Sequence, residues 1–121
     1  MPTVMIVDDS QFIRLRLNKL LAQHGYQVLE AKDGEEAVET YRQQTPDVVL
    51  MDIAMPRKHG SVALREIRAL DSEAKVIMLT GMNQQAIVLR AMQAGAKDFL
   101  VKPFEDEQVL NALRKALKVT T

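Results

Sequence analysis

Four stretches of this sequence are apolar at every position, and each is cut off by a particular polar residue. Val4-Met5-Ile6-Val7 runs into Asp8 and Asp9, Val48-Val49-Leu50-Met51 into Asp52, Val76-Ile77-Met78-Leu79 into Thr80, and Phe99-Leu100-Val101 into Lys102. A strand wetted on one face alternates apolar with polar residues. A strand that is apolar throughout is covered on both faces, as in parallel sheets flanked by helices. Strand ends of one polarity then share one edge of the sheet, so Asp8, Asp52, Thr80 and Lys102 are predicted to converge outside the carboxyl ends, where open α/β sheets bind ligands.

The segments between the runs have helical character. Ser10 can cap a helix whose apolar residues Ile13, Leu17, Leu20 and Leu21 fall on one face, and Gly25 stops it. Gln27-Val28-Leu29-Glu30-Ala31 is a shorter, more polar extended run, suited to a sheet edge. Asp33-Gly34 is predicted to turn the chain, with a helix from Glu35 to Gln43. A third helix should carry Val62, Leu64, Ile67 and Leu70, a fourth should run from about Gln84 to Ala94 before Gly95, and a fifth from about Asp106 to Lys118 with Leu110, Leu113 and Leu117 on one face. Strands and helices alternate strictly, which predicts a doubly wound α/β fold with a five-stranded parallel sheet and five helices. The flavodoxin-like order 2-1-3-4-5 is the simplest that leaves the polar second strand at an edge. Residues 1–121 read as one domain, without linker, repeat or low-complexity segment.

Composition narrows the function. The chain has 16 Lys and Arg against 16 Asp and Glu, so no global basic field exists to condense on nucleic acid or an anionic membrane. No direct nucleic-acid or membrane partner is expected. The chain contains no cysteine, so disulfides and thiolate metal sites are ruled out, and a cytoplasmic location is the natural expectation. The apolar run at the N-terminus is four residues long, far short of the roughly 20 of a membrane span.

Three carboxylates brought together repel one another by about 4 kcal/mol per pair at a separation of about 4 Å in an effective dielectric of about 20. Lys102 offsets one charge. An all-oxygen cluster with an excess of negative charge and no His or Cys suits a hard cation, and Mg²⁺ fits best. A carboxylate beside Mg²⁺ and an ammonium group is in turn a plausible phosphoryl acceptor. Taken singly, each residue has a blander explanation: Asp9 as a helix cap, Asp52 as a turn residue before Pro56, Thr80 as a strand-end hydroxyl, Lys102 as a solvated side chain. Their joint occurrence at four strand ends outweighs these.

The conjunction resembles the receiver domain of bacterial two-component response regulators over the whole chain. It rests on Val7-Asp8-Asp9-Ser10, on Met51-Asp52 with Met55-Pro56 and Gly60, on Leu79-Thr80-Gly81, and on Gly95-Ala96-Lys97-Asp98-Phe99-Leu100-Val101-Lys102-Pro103-Phe104. That family is a standard instance of the 2-1-3-4-5 order, so the order is not an independent inference. The resemblance implies that Asp52 is the phosphoacceptor and that Asp8 and Asp9 hold Mg²⁺ together with Asp52 and the backbone carbonyl of Ala54. It further implies that Lys102 contacts the phosphoryl group and that the bond before Pro103 is cis. Thr80 and Phe99 would be the switch residues, acting on the surface of the fourth helix, fifth strand and fifth helix. Asn83-Gln84-Gln85-Ala86 through Lys97-Asp98-Phe99 looks like the stand-alone chemotaxis type. Such a monomer takes phosphate from a histidine kinase and binds the flagellar motor switch.

Some positions depart from the pattern. Ala54 and Met82 stand where many relatives have polar side chains beside the phosphoryl group, so neither can orient a water molecule, and an auxiliary phosphatase is expected to reset the signal. Arg57-Lys58-His59 makes a basic loop near the pocket, expected to be solvated. His24 should face solvent at a helix C-terminus. Two other readings compete: a receiver fragment of a larger transcriptional or enzymatic regulator, and a Mg²⁺-dependent phosphohydrolase of the haloacid-dehalogenase kind. Against the second, Ala54 stands where that family has a second acid.

Overall fold

The computed structural model describes residues 1–55, 57–81 and 85–118. Ten elements alternate along the chain: β1 (Thr3–Val7), α1 (Gln11–Gln23), β2 (Gln27–Ala31), α2 (Gly34–Gln44), β3 (Val48–Asp52), α3 (Gly60–Leu70), β4 (Val76–Thr80), α4 (Gln85–Gln93), β5 (Asp98–Val101) and α5 (Asp106–Leu117). The strands form one parallel sheet in the order β2-β1-β3-β4-β5.

The unbroken apolar runs follow from the two helical layers. Successive residues of a strand point to opposite faces. Met5, Val7, Val49, Met51, Val76 and Met78 therefore pack with Ala37, Val38 and Tyr41 of α2, Ala63, Leu64 and Ile67 of α3, and Ala91 of α4. Their neighbours Val4, Ile6, Val48, Leu50, Ile77 and Leu79 pack on the other face with Leu17, Leu20 and Leu21 of α1 and Val109, Leu110 and Leu113 of α5. Strand β2, at the edge, is only partly covered, which is why its sequence is more polar.

One local expectation is corrected. Asp33-Gly34 does not form a free turn. Asp33 caps α2, its carboxylate accepting the Glu36 N–H at 2.8 Å, and Gly34 is the first helical residue. Glycine is required there by proximity, since a Cβ on Gly34 would lie 2.3 Å from the carbonyl oxygen of Lys58. In α3 the buried face is Gly60, Ala63, Leu64 and Ile67, while Val62 and Leu70 are 39% and 47% exposed. Gly60 sits against the backbone of β3, where a Cβ would come within 2.2 Å of the Asp52 carbonyl oxygen. That contact fixes the rotation of the helix and turns Val62 and Leu70 outward.

Candidate functional site

Each polar strand ending lands at the carboxyl edge. Asp52 and Thr80 are the last residues of β3 and β4, Asp8 follows β1, and Lys102 follows β5. Register places Val7 beside Met51 and Asp52 beside Leu79, so the ends lie level. Asp8, Asp52 and Thr80 are buried, while Asp9 is exposed at the rim. Asp8, Asp9 and Asp52 each offer an oxygen within 4.8 Å of the others.

Lys102 joins two of the three. Its Nζ lies 2.9 Å from Asp8 Oδ2 and 3.3 Å from Asp52 Oδ1. Asp8 is further fixed by the Ser10 N–H, which donates to Oδ1 at 2.9 Å, while Ser10 Oγ caps α1 by accepting the Ile13 N–H. Burial, followed by the negative charge of Asp8, pushes the Asp52 carboxyl up to about 6 against the opposing pull of Lys102. Burial alone would lower Lys102, but its hydrogen bond to Asp8 and the charges of Asp52 and Asp8 outweigh that and raise it. The pocket therefore holds more negative charge than its lysine relieves, in an all-oxygen donor set. Such a set fits a hard divalent cation.

The remaining predicted residues lie around this cluster. The Thr80 hydroxyl donates to the Gly81 carbonyl at 3.1 Å, and the Lys102 N–H donates to the Thr80 carbonyl at 2.7 Å. The Lys102–Pro103 bond is cis. Ala54 is exposed in the loop after β3, and Phe99 in β5 is 40% exposed. Met82, Pro56, Asn83 and Gln84 lie outside the described residues. His24 is exposed at the C-cap of α1, its Nδ1 3.0 Å from the Leu20 carbonyl.

Sequence reasoning missed two supports of the site. Arg14 donates to the Asp8 carbonyl at 2.6 Å while pairing with Glu30, which steadies the end of β1. The basic loop is engaged rather than merely solvated: Arg57 pairs with Glu35, Lys58 with Glu66, and His59 caps α3 by accepting the Ser61 N–H. A signal for Arg14 existed, since it stands four residues past the cap Ser10, one turn into the helix that leaves the site. Glu35, the partner of Arg57, is 22 residues away and gave none.

Known proteins resemble this chain in sequence and fold. The response regulator receiver domain family matches residues 4–114. The chain is 47% identical to the chemotaxis protein CheY of Bacillus subtilis, covering 94% of this chain and 96% of that protein. It is 48% identical to the chemotaxis protein CheY of Thermotoga maritima, covering 95% and 97%. The crystallised chemotaxis protein CheY4 of Vibrio cholerae superposes with a TM-score of 0.91 at 32% identity, over 97% of this chain and 99% of that one. Among the described residues no helix is long and apolar enough to cross a membrane. The family model covers nearly the whole chain, as do relatives at almost half identity, and the chain belongs to the response regulator receiver domain family.

Proposed function

We propose that residues 1–121 act as one phosphoacceptor switch of a two-component pathway, in which Asp52 receives a phosphoryl group from a histidine kinase. One observation carries the reading: Asp52 is buried beside two further carboxylates, and a lysine bridges it to one of them. An Asp52 oxygen attacks the phosphorus of a phosphohistidine, the new O–P bond forms as the P–N bond breaks, and the imidazole leaves with its electron pair. Asp8, Asp9, Asp52 and the Ala54 carbonyl would hold Mg²⁺, which when bound neutralises charge on the transferring group. Lys102 does the same from the β5 side. The chain is a signalling protein rather than a catalyst of metabolic turnover, so the phosphohydrolase alternative is set aside.

On this reading the Thr80 hydroxyl turns from Gly81 toward the phosphoryl group. Phe99 moves inward from its exposed position, altering the α4-β5-α5 surface. The names of the relatives and the stretch through Lys97-Asp98-Phe99 support a chemotaxis role, with the flagellar motor switch as output, an auxiliary phosphatase for reset and a monomeric cytoplasmic protein. The test is intact-mass measurement after incubation with acetyl phosphate and Mg²⁺. Wild type gains one phosphoryl mass and Asp52→Asn gains none; equal labelling of the variant would put the acceptor elsewhere.

A further inference from the structure

The loop that carries Ala54 is fastened to the rest of the molecule at both ends. At its start the Ile53 N–H donates to the Leu79 carbonyl, and at its close the Gly60 N–H donates back to the Ile53 carbonyl at 2.7 Å. Lys58 Nζ reaches Glu66 Oε1 at 2.7 Å and His59 caps Ser61, which tie the second half of the loop to α3. Toward α2 the side-chain link is Arg57. Its Nη2 and Nε lie 3.0 and 3.3 Å from Glu35 Oε2, and its Nε lies 3.5 Å from Asp33 Oδ2.

The backbone at Arg57 is strained. Its φ is +70°, a left-handed conformation that a residue with a Cβ keeps only when its surroundings hold it there. On the α2 side the closer partner, Glu35, is exposed, while Asp33 is buried and its other oxygen is committed to the Glu36 N–H as the helix cap. The Lys58 carbonyl meanwhile packs directly on Gly34. One end of the clamp is therefore a fixed helix start, and the other is the loop that leads from Asp52.

We propose that Arg57 is a positioning residue. By tying the loop after β3 to Glu35 and Asp33 at the start of α2, it sets the affinity of the acidic pocket for a divalent cation. This rests on the proposed reading of Asp8, Asp9, Asp52 and the Ala54 carbonyl as the ligand set. A preorganised ligand loop loses less freedom when the cation binds.

The sign of the effect separates a clamp from a simple charge. If Arg57 acted only through space, removing its positive charge would tighten cation binding, and removing the Glu35 charge would weaken it. A clamp fails when either half is lost. The experiment is calorimetric titration with Mg²⁺ of wild type, Arg57→Gln, Glu35→Gln and the double variant in low-salt buffer, with metal-free melting temperatures measured alongside. The expected result is a two- to fivefold weaker affinity in each single variant, about the range of an exposed ion pair, with the double variant no worse than either single. Metal-free melting should stay within about 3 °C of wild type, because the pair is exposed. Unchanged or tighter Mg²⁺ binding by Arg57→Gln overturns the proposal, and so does a melting loss large enough to account for the weakening. A wild type that does not bind Mg²⁺ overturns the ligand reading itself, and the proposal with it.

Discussion

Asp33 and Asp52 are both more than nine-tenths buried, at 4% and 6% exposure, and both follow or end a strand at the carboxyl edge of the sheet. Their surroundings treat the charge in opposite ways. Asp33 stands at the start of α2, where one oxygen accepts the Glu36 N–H and the other faces Arg57, and where the helix dipole favours an anion. Asp52 faces Asp8 and Asp9 and shares one lysine with Asp8. Burial and repulsion lift its carboxyl to about 6. The first carboxylate holds the chain together, whereas the second is kept at a cost in stability, which the proposed function explains by its role as the phosphoryl acceptor.

The largest expected contrast is in metal binding. Asp9→Ala removes a proposed ligand and should weaken Mg²⁺ binding about a hundredfold, the upper end of what even supporting groups of metal ligands contribute. Asp33→Asn should stay within about threefold of wild type, since Asn still caps α2. Calorimetry on both variants checks this. Equal losses would mean that the two regions are not functionally distinct.

A second contrast lies in metal-free stability, and it depends on pH. A carboxyl whose folded value is raised binds its proton more tightly when folded, so the native state is favoured at low pH. That advantage is lost as pH rises from the unfolded value near 4 through the folded value of about 6. Asp52→Asn removes the penalty and should stabilise the protein by about 2–3 kcal/mol at pH 8, with the gain vanishing by about pH 4. Urea unfolding with chelator at both pH values reads this directly. A gain that persists undiminished at pH 4 would trace to packing rather than charge.

The sequence showed one of these regions far better than the other. Asp8, Asp52, Thr80 and Lys102 were visible because an apolar strand that stops at a polar residue is a local pattern, and parallel topology then dictates that the stops meet. The cap at Asp33 was misread as a turn because Asp-Gly serves both uses, and only the packing of Gly34 on Lys58 distinguishes them. The outward turn of Val62 and Leu70 was hidden for a related reason: the rotation of α3 is set by a backbone contact at Gly60, which no hydrophobic pattern records. Arg57 is exposed, as a solvated loop predicts, but its pairing with Glu35, 22 residues away, arises only in the fold.

A smaller effect is expected on the structural side of the comparison. Asp33→Ala removes the cap and should destabilise the metal-free protein by about 1 kcal/mol, opposite in sign to Asp52→Asn. Asp33→Asn should recover most of the loss in the same urea experiment. If Asn is no better than Ala, the contribution of Asp33 comes from its charge toward Arg57 rather than from the cap.

The smallest effect concerns how long a phosphoryl group would stay on Asp52 under the proposed function. Asp33 has a polar partner on each oxygen, whereas Ala54, two residues after Asp52, is exposed and carries only a methyl group. Hydrolysis of an aspartyl phosphate needs a water held in line with the scissile bond, and much of phosphoryl-transfer catalysis is positioning of this kind. Ala54 cannot accept or donate a hydrogen bond to that water. Ala54→Asn supplies both functions and should shorten the lifetime of the phosphoprotein about threefold, less than 1 kcal/mol of barrier. The measurement is first-order decay of purified phosphoprotein in Mg²⁺ with no phosphatase added. If wild type decays as fast as the variant, the side chain at position 54 does not limit hydrolysis, and the water must be held by backbone groups or by Lys102, which would make the pocket as self-sufficient in its own chemistry as the cap at Asp33 is in its own.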